Sequence, residues 1–369
     1  MVIHLKHTRR CVLAALLLAG AASPALAQDV PAGYPADYAD VIAAARKEGA
    51  VSIYTSTDQA QAQPFLDAFT KRFPGIKIEY NDLGTNGAYN RVISEAAAGQ
   101  VGADVVWSSA MDYQMSLAKE GHAGAYKSPE AKNVPDWASF KDTLYATSVE
   151  PIGIIYNTKA LPEGKVPKTR ADLIKFLQDN KTELKGKIAS FDPEKSGSGF
   201  LHHTNDVRQT KTFWDLAKAF GAIGGRTYSS SGAMKETVVS GENVLAFNII
   251  GSYGLQWAKE SPNLGVAFGT DYTPAFSRLA LITAKAPHPN AAKLLLDFML
   301  SQEGQNALAK GGMPSVRTDT DQGFNAKTLN ERVGGNLQPI KLDEGLLEYL
   351  NPQKRVQFFR EWKASLSGS

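Results

Sequence analysis

The stretch GAVSIYTSTDQAQAQPFLDAFTKRFPGIKIEY, residues 49–80, decides the fold. Within it, Ala50 to Ser56 and Ile76 to Gly84 predict strands, and the segment Gln61 to Gly75 between them predicts an amphipathic helix. The helix places its phenylalanines on one stripe, at Phe65, Phe69 and Phe73. Strand, helix and strand in this order indicate parallel strands joined by a crossover helix.

The same alternation of elements continues along the chain. Further strands are predicted at Ala103 to Ser109, Pro151 to Thr158, Gly186 to Asp192 and Asn243 to Ile250, and a long helical run at Ala292 to Gly312. A chain of 369 residues is longer than one core usually fills, so we expect two lobes. The predicted fold class is α/β, and each lobe is expected to hold a mostly parallel sheet flanked by helices.

The first 27 residues have the features of a secretory signal peptide. Lys6, Arg9 and Arg10 precede the apolar run VLAALLLAGAA, and ALA ends the segment at Ala27. We therefore predict export to the periplasm. The single cysteine of the chain, Cys11, lies inside this segment, so the processed chain is expected to form no disulfide.

Processing also removes the excess of positive charge. Loss of Lys6, Arg9 and Arg10 leaves 37 of the 40 basic residues against 37 acidic ones. A chain without net charge has no overall field to attract nucleic acid or an acidic membrane. No later segment is apolar for 18 residues, so we expect no membrane insertion of the processed chain.

Small hydroxyl, amide and glycine residues follow almost every predicted strand. They are Thr55, Ser56, Thr57, Thr85, Asn86, Ser108, Ser109, Ser196, Ser198, Gly199 and Ser252. Ligands of open parallel sheets bind beyond the carboxyl ends of the strands, and the first N–H groups of the helices that follow have no intrahelical partner. Hydroxyls together with free N–H groups predict a site for an anion. The alternative is that the same residues only form turns and N-caps, which favour them.

Several other polar residues are candidates for the same cleft. They are Ser230 and Ser231 before a helix expected to begin near Gly232, His203 and Asp206 on one helix face, Asn248 in a strand, and Glu150 and Asp271 near the expected crossings between lobes. The serines could meet an oxyanion, and the His and Asp could bind sugar hydroxyls. The alternatives are a helix cap for the serines, a solvated helix face or a core imidazole bonded to the backbone for the His and Asp, and a salt bridge near the hinge for Glu150. An arginine such as Arg278 is more commonly a surface residue than a phosphate ligand.

Motifs of common enzyme classes are missing from the sequence. The segment KSGSG has Lys195 where a serine-hydrolase elbow requires glycine, and no G-x-x-x-x-G-K-[ST], H-E-x-x-H or strand-following G-x-G-x-x-G occurs. We therefore predict no catalytic residue, no cofactor and no enzymatic activity.

Four segments resemble one known family. Residues 49–80, AAAGQVGADVVWSSAMDYQMSLAKEG, EPIGIIYNTKALP and SQEGQNALAKGGMPSVR are similar to family-1 periplasmic solute-binding proteins of ABC transporters, in the group of ferric-ion, sugar-phosphate and aminophosphonate binders. The resemblance implies a type II two-lobe clamp, with hinge strands under a central cleft and crossings near Ser148 to Gly153 and Phe268 to Thr273. It divides the chain into a signal peptide (1–27), lobe 1 (28–150 and 272–320), lobe 2 (151–271) and C-terminal helices packing on the lobes (321–369).

The resemblance also bears on the ligand. Ferric-ion binders carry two adjacent tyrosines where this chain has Gly251, Ser252 and the single Tyr253, so we expect no iron site of that kind and no metal. The expected ligand is a small anionic solute, phosphorylated or phosphonate and perhaps a sugar phosphate. The expected partners are the permease and ATPase of an ABC importer, and the chain is expected to be a monomer. Two alternatives stay open: metal delivery, and a ligand-sensing clamp for a signalling receptor.

Overall fold

The computed structural model describes residues 30–367, so the predicted signal peptide (1–27) lies outside the described residues. The strands are β1 (Ala50–Thr55), β2 (Lys77–Asp82), β3 (Val105–Ser108), β4 (Ser139–Phe140), β5 (Leu144–Ala146), β6 (Glu150–Asn157), β7 (Ile188–Phe191), β8 (Arg226–Tyr228), β9 (Leu245–Ile250), β10 (Leu264–Ala267), β11 (Thr273–Phe276), β12 (Leu279–Ile282) and β13 (Leu337–Pro339). The α-helices are α1 (Tyr38–Glu48), α2 (Gln59–Arg72), α3 (Gly84–Ala97), α4 (Met111–Lys119), α5 (Arg170–Asp179), α6 (Gly197–Gln209), α7 (Phe213–Ala222), α8 (Ser231–Ser240), α9 (Gly251–Glu260), α10 (Pro289–Leu300), α11 (Gln302–Lys310), α12 (Ala326–Arg332) and α13 (Pro352–Ser367). Short 3₁₀ helices span Pro129–Asn133, Asp136–Ala138, Glu163–Lys165 and Glu344–Leu350. None of the helices described in this range is long and apolar enough to cross a membrane.

The first sheet has the strand order β2-β1-β3-β12-β5-β4. β1 runs parallel to β2 and β3, as the opening stretch predicts, while β12, β5 and β4 add antiparallel pairs. The predicted phenylalanine stripe of α2 is confirmed: Phe65, Phe69 and Phe73 are buried. All three rings pack around Phe298 of α10, with ring centroids 5.5–5.9 Å apart. This aromatic cluster fixes α2 and α10 against the sheet.

The second sheet has the strand order β13-β11-β6-β9-β7-β8, with β10 also paired to β6. β7 runs parallel to β8 and β9, and β6 runs antiparallel to β9, β10 and β11. Both sheets are therefore mixed rather than mostly parallel, because strands next to the chain crossings run against the βαβ units. Helices flank both sheets, which is the architecture of a two-lobe type II binding-protein fold.

The chain crosses between the sheets three times within the described residues, the third time between β12 of the first sheet and β13 of the second. It leaves β5 of the first sheet and enters the second sheet at Glu150, inside the segment predicted from Ser148 to Gly153. It returns through Ser277 and Arg278, between β11 and β12, a few residues beyond the predicted Phe268 to Thr273. The residue boundaries of the two lobes remain a prediction.

Local sequence signals explain where helices begin and end. Thr169 forms a capping box with Asp172 at the start of α5, and Gly49 ends α1 in the left-handed region at φ 74°. The long run predicted from Ala292 to Gly312 is helical, but it divides at Ser301 into α10 and α11. The Ser301 side chain accepts a hydrogen bond from the N–H of Gly304 and so caps α11.

We call the first sheet with the helices packed on it the first half, and the second sheet with its helices the second half. The C-terminal helix α13 belongs to the core of the second half. Its Phe358 and Trp362 are buried, and Trp362 stacks 6.3 Å from Phe220 of α7. The two helices approach so closely that a methyl group at Gly221 of α7 would overlap the carbonyl oxygen of Ser365. Glycine at this position therefore allows the close packing of α7 and α13.

Replacing Gly221 tests this packing. We expect Gly221→Ala to lower the free energy of unfolding by about 1–3 kcal/mol, because the added methyl group pushes α13 off α7. Gly232→Ala is the matched control, since a methyl group at Gly232 meets no atom within 4 Å. The control should leave stability unchanged or raise it by up to about 1 kcal/mol. Urea denaturation measures both, and equal stability of the two variants would contradict the proposed contact.

Candidate functional site

The carboxyl ends of β1 and β3 bring together the serines that follow them. Ser56 Oγ lies 3.1 Å from Ser109 Oγ and accepts a hydrogen bond from the Ser109 N–H at 3.1 Å. It also lies 3.4 Å from Ser108 Oγ, which in turn accepts a hydrogen bond from the N–H of Ala110. Thr55 is buried and its hydroxyl accepts a hydrogen bond from the N–H of Thr57 at 3.0 Å. Parallel pairing of the strands thus produces the predicted row of hydroxyls at one sheet edge.

The start of α6, in the second half, meets this row of hydroxyls. Ser198 Oγ lies 2.7 Å from Ser109 Oγ, and the Gly197 N–H donates to Thr85 Oγ1 at 2.8 Å. Side chains at this contact have little room, because a Cβ at Gly197 would lie 2.7 Å from the ring of Tyr113. The structure therefore has the two halves in contact through hydroxyls and a helix N-terminus.

Three further predicted residues lie at the start of α6 or beside it. Ser196 caps the helix by accepting from the Gly199 N–H at 3.1 Å. Asn86 donates from Nδ2 to the carbonyl oxygen of Glu194 at 3.2 Å. A Cβ at Gly199 would lie 2.5 Å from Cβ of Phe191, so Gly199 packs against β7.

A buried ion pair lies where the chain crosses between the sheets. Arg278 and Glu150 are fully buried, and Arg278 Nε donates to Glu150 Oε1 at 2.7 Å. Arg278 Nη1 donates to Thr57 Oγ1 at 2.8 Å, which joins the pair to the end of β1. The Glu150 carboxylate also accepts from the hydroxyls of Ser148 at 2.8 Å and Ser252 at 2.6 Å. Glu150 therefore carries out the ion pairing that the sequence left as an alternative, and its oxygens are already engaged.

Arg278 is a buried charged residue that sequence reasoning missed. It was interpreted as a surface residue, whereas it is the one arginine buried completely within the described chain. Its position directly before the apolar strand β12 was the available signal, since a residue flanking a buried strand at a crossing is itself expected to be buried.

His203 and Asp206 belong to a buried network in the second half. Asp206 accepts hydrogen bonds from Tyr272 Oη at 2.6 Å, Arg170 Nη2 at 3.2 Å and Asn248 Nδ2 at 3.1 Å. Asn248 Nδ2 also lies 3.1 Å from His203 Nδ1, and His203 Nε2 lies 3.1 Å from the carbonyl oxygen of Phe191. Burial lowers the pKa of His203, which favours the neutral ring.

Asp271 adds to the same network from the surface. Its Oδ2 accepts from the Arg170 backbone N–H at 2.8 Å, and its Oδ1 lies 3.9 Å from Arg170 Nη1. These contacts hold α5 to the second sheet, so His203, Asp206, Asn248 and Asp271 have structural partners in the described chain.

The serine run before α8 divides into two roles. Ser230 is exposed, and its hydroxyl caps α8 by accepting from the Ala233 N–H at 3.2 Å. Ser231 is buried, and its hydroxyl has no hydrogen-bond partner within the described residues. Ser231 is therefore the member of this run that has hydrogen-bonding capacity left for a ligand.

Tyr253 stands beside the buried arginine, with the Arg278 guanidinium 5.1 Å from the centroid of its ring. Burial raises the pKa of Tyr253, so its phenol keeps the proton. Among residues 30–367, no group of three or more His, Cys, Asp or Glu side chains is arranged to hold a metal ion. The polar groups that face each other between the halves are mainly hydroxyls and helix N–H groups.

The two mixed sheets, joined by chain crossings with polar groups converging between them, define a periplasmic-binding-protein fold of type II. The sequence pattern of the bacterial extracellular solute-binding proteins matches residues 64–330. The chain belongs to this family, whose members bind solutes and are not enzymes.

Solved structures agree with this assignment. The substrate-binding protein of an ABC transporter from Agrobacterium tumefaciens is 34% identical, with a TM-score of 0.82, over 86% of this chain and 94% of that one. AfuA from Actinobacillus pleuropneumoniae with bound fructose-6-phosphate is 21% identical, with a TM-score of 0.70, and the match covers 86% of this chain and 98% of that one. Iron-bound HitA from Pseudomonas aeruginosa is 18% identical, with a TM-score of 0.65, and the match covers 86% of this chain and 99% of that one. A comparison with curated protein sequences gives no match. The chain is thus a solute-binding component of an ABC transporter.

Breaking the buried ion pair tests its structural role. We expect Arg278→Met to lower the free energy of unfolding by about 3–5 kcal/mol, because it leaves the Glu150 carboxylate buried without its counter-charge. Arg226→Met is the matched control, since the Arg226–Glu242 pair is exposed and should contribute little. Chemical denaturation compares the two variants. Similar small losses in both would show that the Arg278–Glu150 pair does not stabilise the crossing.

Proposed function

We propose that the chain is a periplasmic receptor that captures a small anionic solute with a phosphate or phosphonate group and delivers it to the permease and ATPase of an ABC importer. The observation that carries this proposal is the hydroxyl cluster of Ser56, Ser109 and Ser198. It joins the ends of β1 and β3 to the start of α6, with Oγ–Oγ distances of 3.1 and 2.7 Å. Residues that follow strands of both sheets converge there, which is what a ligand held between two lobes requires.

Neutral hydrogen-bond donors are suited to a phosphate-like group. Each serine hydroxyl can turn its hydrogen toward an oxyanion, and helix N-termini add N–H groups with a partial positive charge. Helix α4 begins at Met111, directly after Ser109 and Ala110, and its N-cap residue Ala110 makes no side-chain cap. The positive end of the helix dipole of α4 therefore lies beside the serines and favours an anion there. Arg278 is not part of this serine cluster, and its charge is balanced by Glu150.

Closure of the two lobes would supply the selectivity. A ligand shifts the equilibrium toward a closed form only if it binds that form more tightly than the open one. The contacts of Ser198 with Ser109, and of the Gly197 N–H with Thr85, identify the groups that face each other across the halves. An oxyanion that replaced these protein–protein hydrogen bonds would contact both halves at once. The sites proposed from the sequence at the edges of β1 and β3 fit this role.

The solved structures supply a precedent for the ligand class. AfuA was solved with fructose-6-phosphate, and HitA with iron. One feature of this chain favours the phosphorylated solute over iron: the contact between the halves is rich in serine hydroxyls, which are neutral donors rather than anionic metal ligands. The segment of residues 1–27 supports export through a signal peptide, which would place the receptor in the periplasm.

A ligand screen with paired serine variants tests the proposal. We expect fructose-6-phosphate or another organic phosphate to raise the melting temperature, since a ligand at a hundredfold excess over its Kd stabilises the folded form by about 2.7 kcal/mol. Ethylphosphonate, inorganic phosphate and ferric citrate complete the panel. The double variant Ser109→Ala/Ser198→Ala should weaken binding of the best anion at least about tenfold in titration calorimetry, because each lost hydrogen bond to a charged group costs about 1.5–3 kcal/mol.

The control is Ser94→Ala/Ser240→Ala, which removes one exposed hydroxyl from each half. It should bind like the wild type. Stabilisation by ferric citrate alone, or unchanged affinity in the Ser109/Ser198 variant, would reject the anion site.

A further inference from the structure

A buried carboxylate lies at the contact between the halves and takes no part in the proposed anion site. Asp112, in the first turn of α4, is 2% exposed, and its Oδ1 has no hydrogen-bond partner within the described residues. Helix α4 follows β3 of the first sheet and packs against α6 of the second half and against the 3₁₀ helix Glu344–Leu350. Burial of Asp112 therefore depends partly on the second half lying against the first.

The contact around Asp112 is close and specific. A Cβ at Gly197 of α6 would lie 3.1 Å from Cβ of Ala110 and 2.7 Å from the ring of Tyr113, the residues on either side of Met111 and Asp112. Arg355 of α13 donates from Nη2 to Tyr113 Oη at 3.0 Å, and its guanidinium lies 4.6 Å from the ring of Phe200 in α6. The side chains that cover this part of α4 thus come from the second half and the C-terminal segment.

Asp112 forms no ion pair in the described chain, although two arginines act on it. Burial raises the pKa of Asp112 to about 7 from its ordinary value of 3.8, against the smaller lowering effects of the Tyr113 N–H, Arg355, its own N–H and Arg208. The guanidinium of Arg208 is engaged with the carbonyl oxygen of Gly345 at 2.9 Å. A carboxyl group in such surroundings is more stable with its proton than without it.

The other charged and titratable groups of the neighbouring elements are paired with each other or directed elsewhere. Glu344 of the 3₁₀ helix pairs with Lys119 at 3.0 Å and Lys141 at 3.4 Å. Tyr89 of α3 stacks on Tyr113 at 4.7 Å. In β5, Tyr145 donates to the carbonyl oxygen of Tyr126, and β12 consists of Leu, Ala, Leu and Ile. On α6, the remaining titratable side chains are His202, His203 and Asp206, which bond to Asn248, Phe191 and Tyr272.

We propose that Asp112 makes closure of the two halves take up a proton, so that the clamp closes more readily as the pH falls. The proposal rests on the hinge closure proposed above but not on the identity of the solute. Separation of α6 from α4 would hydrate the carboxylate and release the proton. An anion beside the start of α4 would add to the effect, because a neutral Asp112 does not repel it.

The direction and size of the effect follow from linkage. The group binds its proton more tightly in the closed form, so closure is favoured below the closed-form pKa of about 7 and loses this contribution as the pH rises through that value. With an ordinary value of 3.8 in the open form, the ratio of closed to open protein should rise about tenfold between pH 8 and pH 6.

Small-angle X-ray scattering of the ligand-free protein at pH 6 and pH 8 tests this inference. The wild type should have a smaller radius of gyration at pH 6. Asp112→Asn should be equally compact at both pH values, because the neutral amide has no proton to lose. Asp215→Asn, which removes an exposed carboxylate on α7, should behave like the wild type.

A second variant and a direct titration complete the test. Arg355→Gln removes a cation that lowers the pKa of Asp112, so the transition should move to higher pH. Carboxyl carbon NMR of the wild type should show Asp112 titrating far above the ordinary range, a result that requires no mutant to fold. An unchanged radius of gyration in the wild type, or the same pH dependence in Asp112→Asn, would overturn the proposal. Binding of no anion in the ligand screen would reject the solute class alone.

Discussion

The fold depends on a charge balance at the place where the chain passes between the sheets. Arg278 and Glu150 lie on different crossings and bury opposite charges against each other, with Thr57, Ser148 and Ser252 completing their hydrogen bonds. A buried pair of this kind stabilises only when every donor and acceptor is satisfied, because desolvation costs about as much as the attraction returns. The pair therefore fixes the relative positions of β1, β6, α9 and β12, and these elements position the site.

In contrast to the Arg278–Glu150 ion pair, the contact between the halves uses uncharged groups. Ser109 meets Ser198, and the Gly197 N–H meets Thr85. Hydroxyls and amide hydrogens can exchange one partner for another without leaving a charge unpaired. This suits a surface that is proposed to open and close, whereas buried ion pairs suit the part of the molecule that keeps one geometry. Asp112 is the exception, since it is a buried carboxylate at this contact, and the proton uptake proposed for it would leave no unpaired charge there.

The sequence was informative wherever a local rule decided the outcome. The period of the phenylalanines in α2, the capping box at Thr169 and the order of strand and helix around residues 49–80 depend on neighbours along the chain, and the structure confirms them. At Ser301, the helical pattern continues through a serine that caps a new helix, so the pattern did not reveal the break between α10 and α11. The hydroxyl edge was also predictable, because parallel strands bring their carboxyl ends to one side of a sheet.

The sequence by itself indicated the family, through the resemblance of four segments to known solute-binding proteins. It also determined the two-lobe α/β architecture and the residue types available to a ligand, because these follow from length, periodicity and the chemistry of single residues. Only the tertiary structure decided which of those residues have partners. Burial of Arg278, the network around Asp206 and the unpartnered carboxylate of Asp112 arise from elements far apart in the chain. Burial and pairing are properties of space rather than of order along the chain, so no local pattern could assign them.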